Sequence, residues 1–290
     1  MGFYYYLFLQ GETIIELIGL IGILAFGAQK LLPSFQVIYQ NWTNITTNKH
    51  LVLEIINILN HRGKKYLKQE KLKFKNDISL KLMSFGYEKE KIIENINLSI
   101  SKGDKIGIIG KSGSGKSTLI NLLAGLITEF RGELKVDGNT IDKKNINSWR
   151  KKIAYVPQNI FLFDESLKSN ITFGVKSDID LNKILTKVKL DSFINGRDIN
   201  EIYVGERSSK ISGGEKQRIA LARALFKEAP IIIFDEATNA LDKKTEKEIL
   251  EIIYKLNNKT IIIITHDFKN LYGCNKVFEL KEKKLKRIES

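Results

Sequence analysis

The sequence predicts an α/β domain built on a mainly parallel sheet and preceded by one membrane-spanning helix. Isoleucine-rich runs at 231–236 and 260–266 are apolar on both faces, as parallel strands are when helices cover each side of a sheet. Stretches with helical spacing of apolar residues at 214–228 and 243–256 alternate with these runs, which is the pattern of α/β domains. An apolar stretch at 13–28 predicts the membrane helix.

The distribution of charged residues predicts the orientation of the membrane helix. Residues 13–28 would span about 24 Å, and extension to Leu32 brings the helix at about 13–32 to roughly 30 Å, with Lys30 snorkelling to the interface. No lysine or arginine precedes Lys30, whereas basic residues crowd the chain that follows it. The positive-inside rule therefore predicts a single pass through the inner (cytoplasmic) membrane, with everything after Lys30 on the cytoplasmic side. Helical spacing continues over 34–60 as a cytoplasmic extension.

Composition and charge leave several partners open. The chain has 290 residues, 43% of them hydrophobic, and a formal net charge of +14. Residues 1–60 hold two lysines against three glutamates, so the positive excess lies in the rest of the chain. Such an excess fits nucleic acid, anionic lipid or anionic small ligands. We interpret the basic runs at 61–75 and 281–287 as solvated surface, with lipid head groups as the second interpretation. The single cysteine, Cys274, excludes an intramolecular disulfide and any all-cysteine metal site.

A phosphate-binding loop is predicted at 110–117, where GKSGSGKS fits the pattern G-x-x-x-x-G-K-[ST]. It follows an apolar strand at 104–110 and precedes an apolar helical stretch, which is the context that the motif needs. Glycines let backbone N–H groups turn toward phosphate oxygens, and the new helix directs its positive end at the same anion. We expect Lys116 to contact the β- and γ-phosphates of ATP and Ser117 to bind Mg²⁺. The predicted nucleotide-binding residues of this loop are Gly110, Lys111, Ser112, Gly113, Ser114, Gly115, Lys116, Ser117 and Thr118.

Two carboxylates follow the apolar residues at 231–234. Because Asp235 and Glu236 would lie at the tip of a buried strand, they need a compensating charge, and Mg²⁺ offers one. We predict Asp235 as the metal-side carboxylate and Glu236 as the general base or water-orienting group for attack on the γ-phosphate. His266 also ends an apolar run, a position where a lone histidine is more often structural.

Further motifs, in their order along the chain, resemble one superfamily closely, the ATP-binding cassette (ABC) ATPases. They are SFGY at 84–87, YVPQ at 155–158, ISGGEKQR at 211–218, NALD at 239–242 and THD at 265–267. The match covers about three-quarters of the chain. It implies a P-loop (RecA-like) core sheet with a small antiparallel β subdomain and a helical subdomain, and it implies Mg²⁺-dependent ATP hydrolysis.

The resemblance assigns roles to single residues. Tyr87 is implied to stack on adenine, Gln158 to contact the nucleotide and Mg²⁺, and His266 to act in catalysis as a sensor of the γ-phosphate. Two cassettes are implied to face each other head to tail, each completing the ATP site of the other. The residues implied to act in trans are Ser212, Gly213, Gly214, Glu215 and Asp242.

Two further segments of the chain resemble those of ABC exporters. VGER at 204–207 is similar to an exporter loop that touches the coupling helices of the membrane domain, and 24–42 is similar to the last membrane helix of bacterial exporters of lipid-linked glycans. We therefore expect residues 1–60 to be a truncated transmembrane segment with its extension, 61–71 a basic linker and 72–290 the nucleotide-binding domain. The expected partners are a second cassette, in a homodimer or heterodimer, a membrane domain that a separate chain could carry, and membrane lipid. No nucleic acid is expected.

Several features depart from the family pattern. Ile211 replaces leucine at the start of the signature, which we expect to be harmless, and Asn239 replaces the commoner serine. Glu215 replaces glutamine and adds a negative charge near the place of the partner's ATP, so we expect it to weaken binding or alter the rate. In the N-terminal part, one membrane helix is predicted where an exporter half of the family has six. The aromatic stretch at 3–9 is too short to span a membrane and does not count as a second helix.

Two alternatives stay open at this level. The short front is consistent with a truncated or mis-started exporter fragment that binds ATP without transporting. The positive charge of the cassette region is consistent with a soluble ABC ATPase that acts on nucleic acid or the ribosome. A single cassette, without a heptad run between Ser117 and Ile231, argues against that second alternative.

Overall fold

The computed structural model of the protein describes residues 14–60, 70–87, 90–205, 211–238 and 241–288. The chain divides into two compact units, Met1–Tyr66 and Leu67–Ser290, each of which is described by itself. The aromatic stretch at 3–9 lies outside the described residues.

The first unit contains one long helix, α1 (Ile14–Asn60), of 47 residues. At a rise of 1.5 Å per residue it is about 70 Å long, so the predicted membrane helix and its extension form one continuous rod. Pro33 lies inside it. Large apolar side chains from Ile18 to Leu59 are exposed along its length. Within the described part of the chain, this is the helix that is long and apolar enough to cross a membrane.

The second unit has twelve strands among its described residues. They are β1 (Asp77–Tyr87), β2 (Glu90–Ser101), β3 (Lys105–Ile109), β4 (Arg131–Val136), β5 (Asn139–Thr140), β6 (Ile153–Val156), β7 (Glu165–Ser166), β8 (Tyr203–Val204), β9 (Ile231–Asp235), β10 (Thr260–Ile264), β11 (Lys276–Lys281) and β12 (Lys284–Ile288). Its helices are α2 (Lys116–Leu123), α3 (Ile146–Lys151), α4 (Leu167–Thr172), α5 (Leu181–Lys187), α6 (Asp191–Ile194), α7 (Gly213–Phe226) and α8 (Lys243–Tyr254), with a 3₁₀ turn at Phe268–Leu271.

A six-stranded sheet of order β12-β11-β3-β10-β9-β6 forms the centre of the unit. Its strands are parallel except for β12, which pairs antiparallel with β11. Ile264 at the end of β10 pairs with Ile108 on one side and with Asp235 on the other. The carboxyl ends of β3, β10 and β9 therefore lie side by side, and the loops that follow them share one edge of the sheet.

The isoleucine-rich strands are apolar on both faces because two cores flank the sheet. Ile231 and Ile233 belong to a core with α2 and the antiparallel sheet, whereas Ile232 and Phe234 face a second core with α7 and α8. Since successive strand residues point to opposite faces, a strand between two cores must be apolar at every position. Every residue of β9 is buried, including Asp235.

A four-stranded antiparallel sheet of order β2-β1-β4-β5 shares a core with α2 and the central sheet. Strands β7 and β8 form a short separate pair. Alternating residues of β1, such as Leu80 and Leu82, point into this shared core. The basic run at 281–287 contributes β12, the edge strand of the central sheet, which the sequence analysis did not predict. Charged side chains on an edge strand discourage pairing with another chain.

Candidate functional site

The phosphate loop connects β3 to α2, as its spacing predicts. Gly115 caps α2 with φ of 98°, a conformation that glycine adopts without strain, and no side chain caps this helix end. A Cβ at Gly110 would lie 2.6 Å from the backbone oxygen of Leu280, so the loop also needs glycine where it leaves the sheet. The N–H groups of the first turn of α2 are thus left available for an anion.

The side chain of Lys116 is buried against the phosphate loop. Its side chain is only 6% exposed, and Nζ donates to the backbone oxygens of Gly110 at 2.8 Å and Lys111 at 3.0 Å. The same nitrogen lies 3.5 Å from Oε1 of Glu236. The ammonium therefore bridges the phosphate loop and the loop after β9, across the edge where both end.

Asp235 is the last residue of β9, and Glu236 is the first residue after it. Glu236 has φ of 49°, which is unusual for a residue with a side chain, and its N–H donates to the backbone oxygen of Ile264 at 3.0 Å. Nε2 of Gln158 donates to Oε2 of Glu236 at 3.1 Å. The structure thus brings together three of the predicted residues, Lys116, Gln158 and Glu236.

Sequence reasoning missed Tyr155, which lies in β6 next to β9. Its hydroxyl donates to Oδ2 of Asp235 at 2.6 Å, at the short end of the range for O–H···O hydrogen bonds. Burial of the hydroxyl, and then this hydrogen bond, raise the pKa of Tyr155, so it stays protonated at neutral pH. The YVPQ motif contains this tyrosine, but only the pairing of β6 with β9 reveals its partner.

Tyr87 lies at the end of a strand of the antiparallel sheet, and His266 follows a strand of the central sheet. Tyr87 ends β1 with 53% of its surface exposed, and its ring packs edge-on against Phe85 at 5.2 Å. Phe85 pairs with Ile93, whose side chain comes within 2.8 Å of the place of a Cβ on Gly115. His266 is exposed two residues beyond the end of β10, so that strand ends earlier than the sequence analysis predicts.

The signature residues start α7 and contact the start of α8. Ser212 caps α7 in a capping box, because its Oγ accepts from the N–H of Glu215 at 3.3 Å and Oε2 of Glu215 accepts from the N–H of Ser212 at 2.8 Å. A Cβ at Gly214 would lie 2.9 Å from Cγ2 of Thr245, so the two helix starts pack closely. The Ser-x-x-Glu pattern was visible in the sequence, and it explains Glu215 as a local stabilising residue.

Asp242 caps α8 in the same region. Its Oδ1 accepts from the N–H groups of Lys244 at 3.1 Å and Thr245 at 3.0 Å. The hydrogen bond from Thr245 is the main reason why the pKa of Asp242 is lowered. Gly213 is the first residue of α7, so the residues predicted to act in trans form one surface of two helix starts. Asn239 and residues 206–207 of VGER lie outside the described residues.

The residues at the sheet edge fit a nucleotide. Oγ of Ser114, in the middle of the loop, is buried and makes no hydrogen bond in the described structure. A buried hydroxyl without a partner is costly, and a phosphate oxygen would satisfy it. Ser117 is exposed in the first turn of α2, and Thr118 behind it is buried.

The residues at the sheet edge also fit Mg²⁺. The hydroxyl of Ser117, the amide oxygen of Gln158 and the carboxylate of Asp235 are the oxygen donors that this ion prefers. The described residues contain no cluster of three or more metal-ligating His, Cys, Asp or Glu side chains. Mg²⁺ sites usually combine one or two carboxylates with water and substrate phosphates, so this donor set is sufficient only together with a nucleotide.

Comparison with known proteins gives consistent results. The family model described as ABC transporter matches residues 93–239. The chain is 39% identical over 216 residues to the mitochondrial iron-sulfur clusters transporter ATM1 of Debaryomyces hansenii, and 36% identical over 219 residues to the ATP-dependent lipid A-core flippase of Desulfotalea psychrophila. It is 34% identical over 261 residues to the heterocyst differentiation ATP-binding protein HepA of Nostoc sp..

These matches cover most of this chain but less than half of each relative. They span 71%, 73% and 87% of this chain, against 31%, 38% and 43% of the ATM1, flippase and HepA proteins. A solved structure of a bacterial Atm1-family ABC exporter with ATP bound superposes with a TM-score of 0.71 at 28% identity, over 83% of this chain and 44% of that one. The α/β fold with its antiparallel sheet is therefore the fold of an ABC exporter cassette.

Proposed function

The chain belongs to the ABC transporter family, and on this premise we propose that it is the ATP-binding and ATP-hydrolysing part of a membrane exporter. One observation carries the proposal. The phosphate loop, Gln158 and the carboxylates of Asp235 and Glu236 at the end of β9 lie at one edge of the central sheet, where Lys116 and Glu236 are 3.5 Å apart. A phosphate-binding loop beside a candidate general base is the arrangement that nucleoside triphosphate hydrolysis needs.

ATP binds at the phosphate loop through its backbone N–H groups and Lys116. The ammonium now donates to Gly110 and Lys111 and faces Glu236. A phosphate that enters the loop competes for this nitrogen, because an anionic oxygen is a stronger acceptor than a neutral carbonyl. Binding therefore draws Lys116 away from Oε1 of Glu236, while Gln158 still holds Oε2. Tyr87, exposed at the end of β1, offers its ring to adenine.

Glu236 orients the attacking water and accepts its proton. Gln158 donates to one oxygen of this carboxylate, which fixes its direction, while the other oxygen is the one that faces Lys116. His266, exposed beyond β10 on the same edge, donates to the γ-phosphate as charge develops there. Ser117, Gln158 and Asp235 would hold Mg²⁺, which would neutralise phosphate charge when bound.

A second cassette completes each ATP site. The starts of α7 and α8 carry Ser212 to Glu215 and Asp242. Capping takes up the N–H groups of Glu215, Lys244 and Thr245, so the glycine N–H groups of α7 are the ones that meet the anion. Helix starts favour anions, so this surface suits the γ-phosphate of an ATP that the other cassette holds. One chain then carries two half-sites, and it hydrolyses ATP as a homodimer or heterodimer.

The membrane domain docks on an aromatic cavity of the cassette. A cavity of about 390 Å³ is lined by Tyr155, Phe173 and Arg223 among others, and Phe173 is 57% exposed. Phe163 packs on Phe173 at 5.3 Å, and the Arg223 guanidinium lies over the same ring at 5.5 Å. Exposed aromatic clusters that line a cavity are typical of protein interfaces. A segment of the membrane domain that works with the second cassette is the partner.

The long helix anchors the chain in the cytoplasmic membrane. Its exposed apolar side chains suit lipid, and the basic residues that follow Lys30 support a cassette on the cytoplasmic side. The transported substrate class is a lipid-linked glycan, on the similarity of 24–42 to exporters of such molecules.

The variant Glu236→Gln tests the assignment of the general base. It keeps the shape of the side chain and removes its basicity, so ATP hydrolysis is expected to fall at least about 100-fold. ATP binding, measured with a fluorescent analogue, is retained, and light scattering with Mg-ATP shows a dimer. Glu129→Gln, the same change at an exposed carboxylate, leaves the rate unaltered. Hydrolysis at the wild-type rate by Glu236→Gln would overturn the assignment.

A further inference from the structure

Tyr155 makes a contact that the proposed reaction does not yet use. Its hydroxyl donates to Oδ2 of Asp235 at 2.6 Å, and the Asp235 carboxylate accepts no other side-chain hydrogen bond from the described residues. The two residues are 80 positions apart in sequence. Tyr155 pairs with Ile233 on β9, so its side chain reaches two residues along the neighbouring strand to the point where that strand ends.

The environment of the two groups makes this contact strong. Asp235 is 6% exposed, so water competes little for its oxygens, whereas 37% of the tyrosine surface is open. The tyrosine hydroxyl points inward to the carboxylate. A short hydrogen bond to one oxygen of a carboxyl group restricts the rotation of that group about its own axis.

We propose that Tyr155 is a positioning residue that holds Oδ2 of Asp235 and thereby sets the direction of Oδ1, the oxygen left to bind a divalent cation. This inference rests on the proposed function, because it assigns to Asp235 the metal-side role. Hydrogen bonds from outer residues orient metal-binding carboxylates, and removing one typically costs 10- to 100-fold in metal affinity or activity. Tyr155 acts through Asp235 and touches neither the nucleotide nor the metal.

The ring of Tyr155 also lines the aromatic cavity described above. Ala154 beside it faces the core with α7, so the backbone of β6 at this point is held by packing. The hydroxyl is therefore carried by a rigid strand and not by a loop, as accurate positioning requires.

The test is the Tyr155→Phe variant of the full chain in detergent, which keeps the ring and removes only the hydroxyl. Two quantities are measured: binding of a fluorescent ATP analogue as a function of Mg²⁺, and binding of Mn²⁺ in the presence of ATP by electron paramagnetic resonance. We expect the half-saturating concentration of either ion to rise about tenfold. ATP binding in the presence of a metal chelator stays unchanged. Tyr272→Phe, at an exposed tyrosine elsewhere on the cassette, is the matched control.

The possible results distinguish failure of the role of Tyr155 from failure of the proposed ATPase function. A lower melting temperature of Tyr155→Phe with the same Mg²⁺ and Mn²⁺ requirement as wild type would mean that the hydroxyl only satisfies a buried carboxylate, and this would overturn the positioning role. Failure of the wild-type chain to bind ATP at all would overturn the proposed function and the inference with it. A shift in metal requirement confined to Tyr155→Phe supports both.

Discussion

Glu215 offers a test of what the signature helix needs in order to form. α7 begins with two glycines, which are each about 1 kcal/mol less favourable than alanine in a helix interior. The capping box of Ser212 and Glu215 offsets part of this cost by satisfying two N–H groups at the helix start. Substituting Glu215 should therefore destabilise the cassette, whatever the residue does to ATP.

The magnitude follows from the two contributions of the side chain. Glu215→Gln keeps an acceptor oxygen but loses the charge at the helix start, worth about 0.3–1 kcal/mol. Glu215→Ala also loses the hydrogen bond at 2.8 Å, worth about 0.5–1.5 kcal/mol in addition. Since roughly 1 kcal/mol shifts the melting temperature of a domain of this size by about 2–4 °C, we expect decreases of about 1–4 °C for glutamine and 2–10 °C for alanine.

The assay is thermal unfolding of the purified chain, followed by circular dichroism at several heating rates. Lys216→Ala, at the exposed next residue of the same helix, serves as the control and should leave the melting temperature unchanged. If Glu215→Ala melts at the wild-type temperature, the capping box contributes nothing and the reasoning is refuted. If Glu215→Gln is as destabilised as Glu215→Ala, the charge and not the hydrogen bond is responsible.

Two further predictions concern the stability of the cassette. Asp104→Asn should cost about 2–3 kcal/mol in urea unfolding at pH 7, because the carboxylate accepts from Lys276 at 2.6 Å and from the N–H of Ser101 at 2.8 Å. Burial raises the pKa of Asp104, but these bonds outweigh it and the pKa is lowered, so the contribution is present above about pH 4 and disappears as the pH falls through the native pKa. A wild-type advantage that is equal at pH 7 and pH 3 would contradict this. Trp149→Phe should lower the free energy of unfolding by about 2–3 kcal/mol, because the indole N–H of this buried residue donates to the backbone oxygen of Leu123 at 2.8 Å, and an unchanged urea midpoint would argue against it.

Much of the central sheet was predictable from local pattern. The predicted strand at 104–110 forms β3, and the runs at 231–236 and 260–266 form β9 and β10, each shorter by one or two residues. These strands are apolar throughout because both faces are buried, and that signal is strong in a single sequence. The short helices and the edge strand β12 were not predicted. β12 is mostly charged, and its strand conformation depends on pairing with β11.

The sequence by itself determined the residues of the phosphate loop and the two carboxylates at the end of β9, because each depends on neighbours a few positions away. Only the tertiary structure decided which of these residues meet. Gln158 and Glu236 are 78 positions apart, and Tyr155 reaches Asp235 across two strands that are distant in sequence. The order of β3, β10, β9 and β6 in the central sheet brings these side chains together. Strand order arises from long-range pairing and from burial on both faces of the sheet, and no local spacing of residues encodes it.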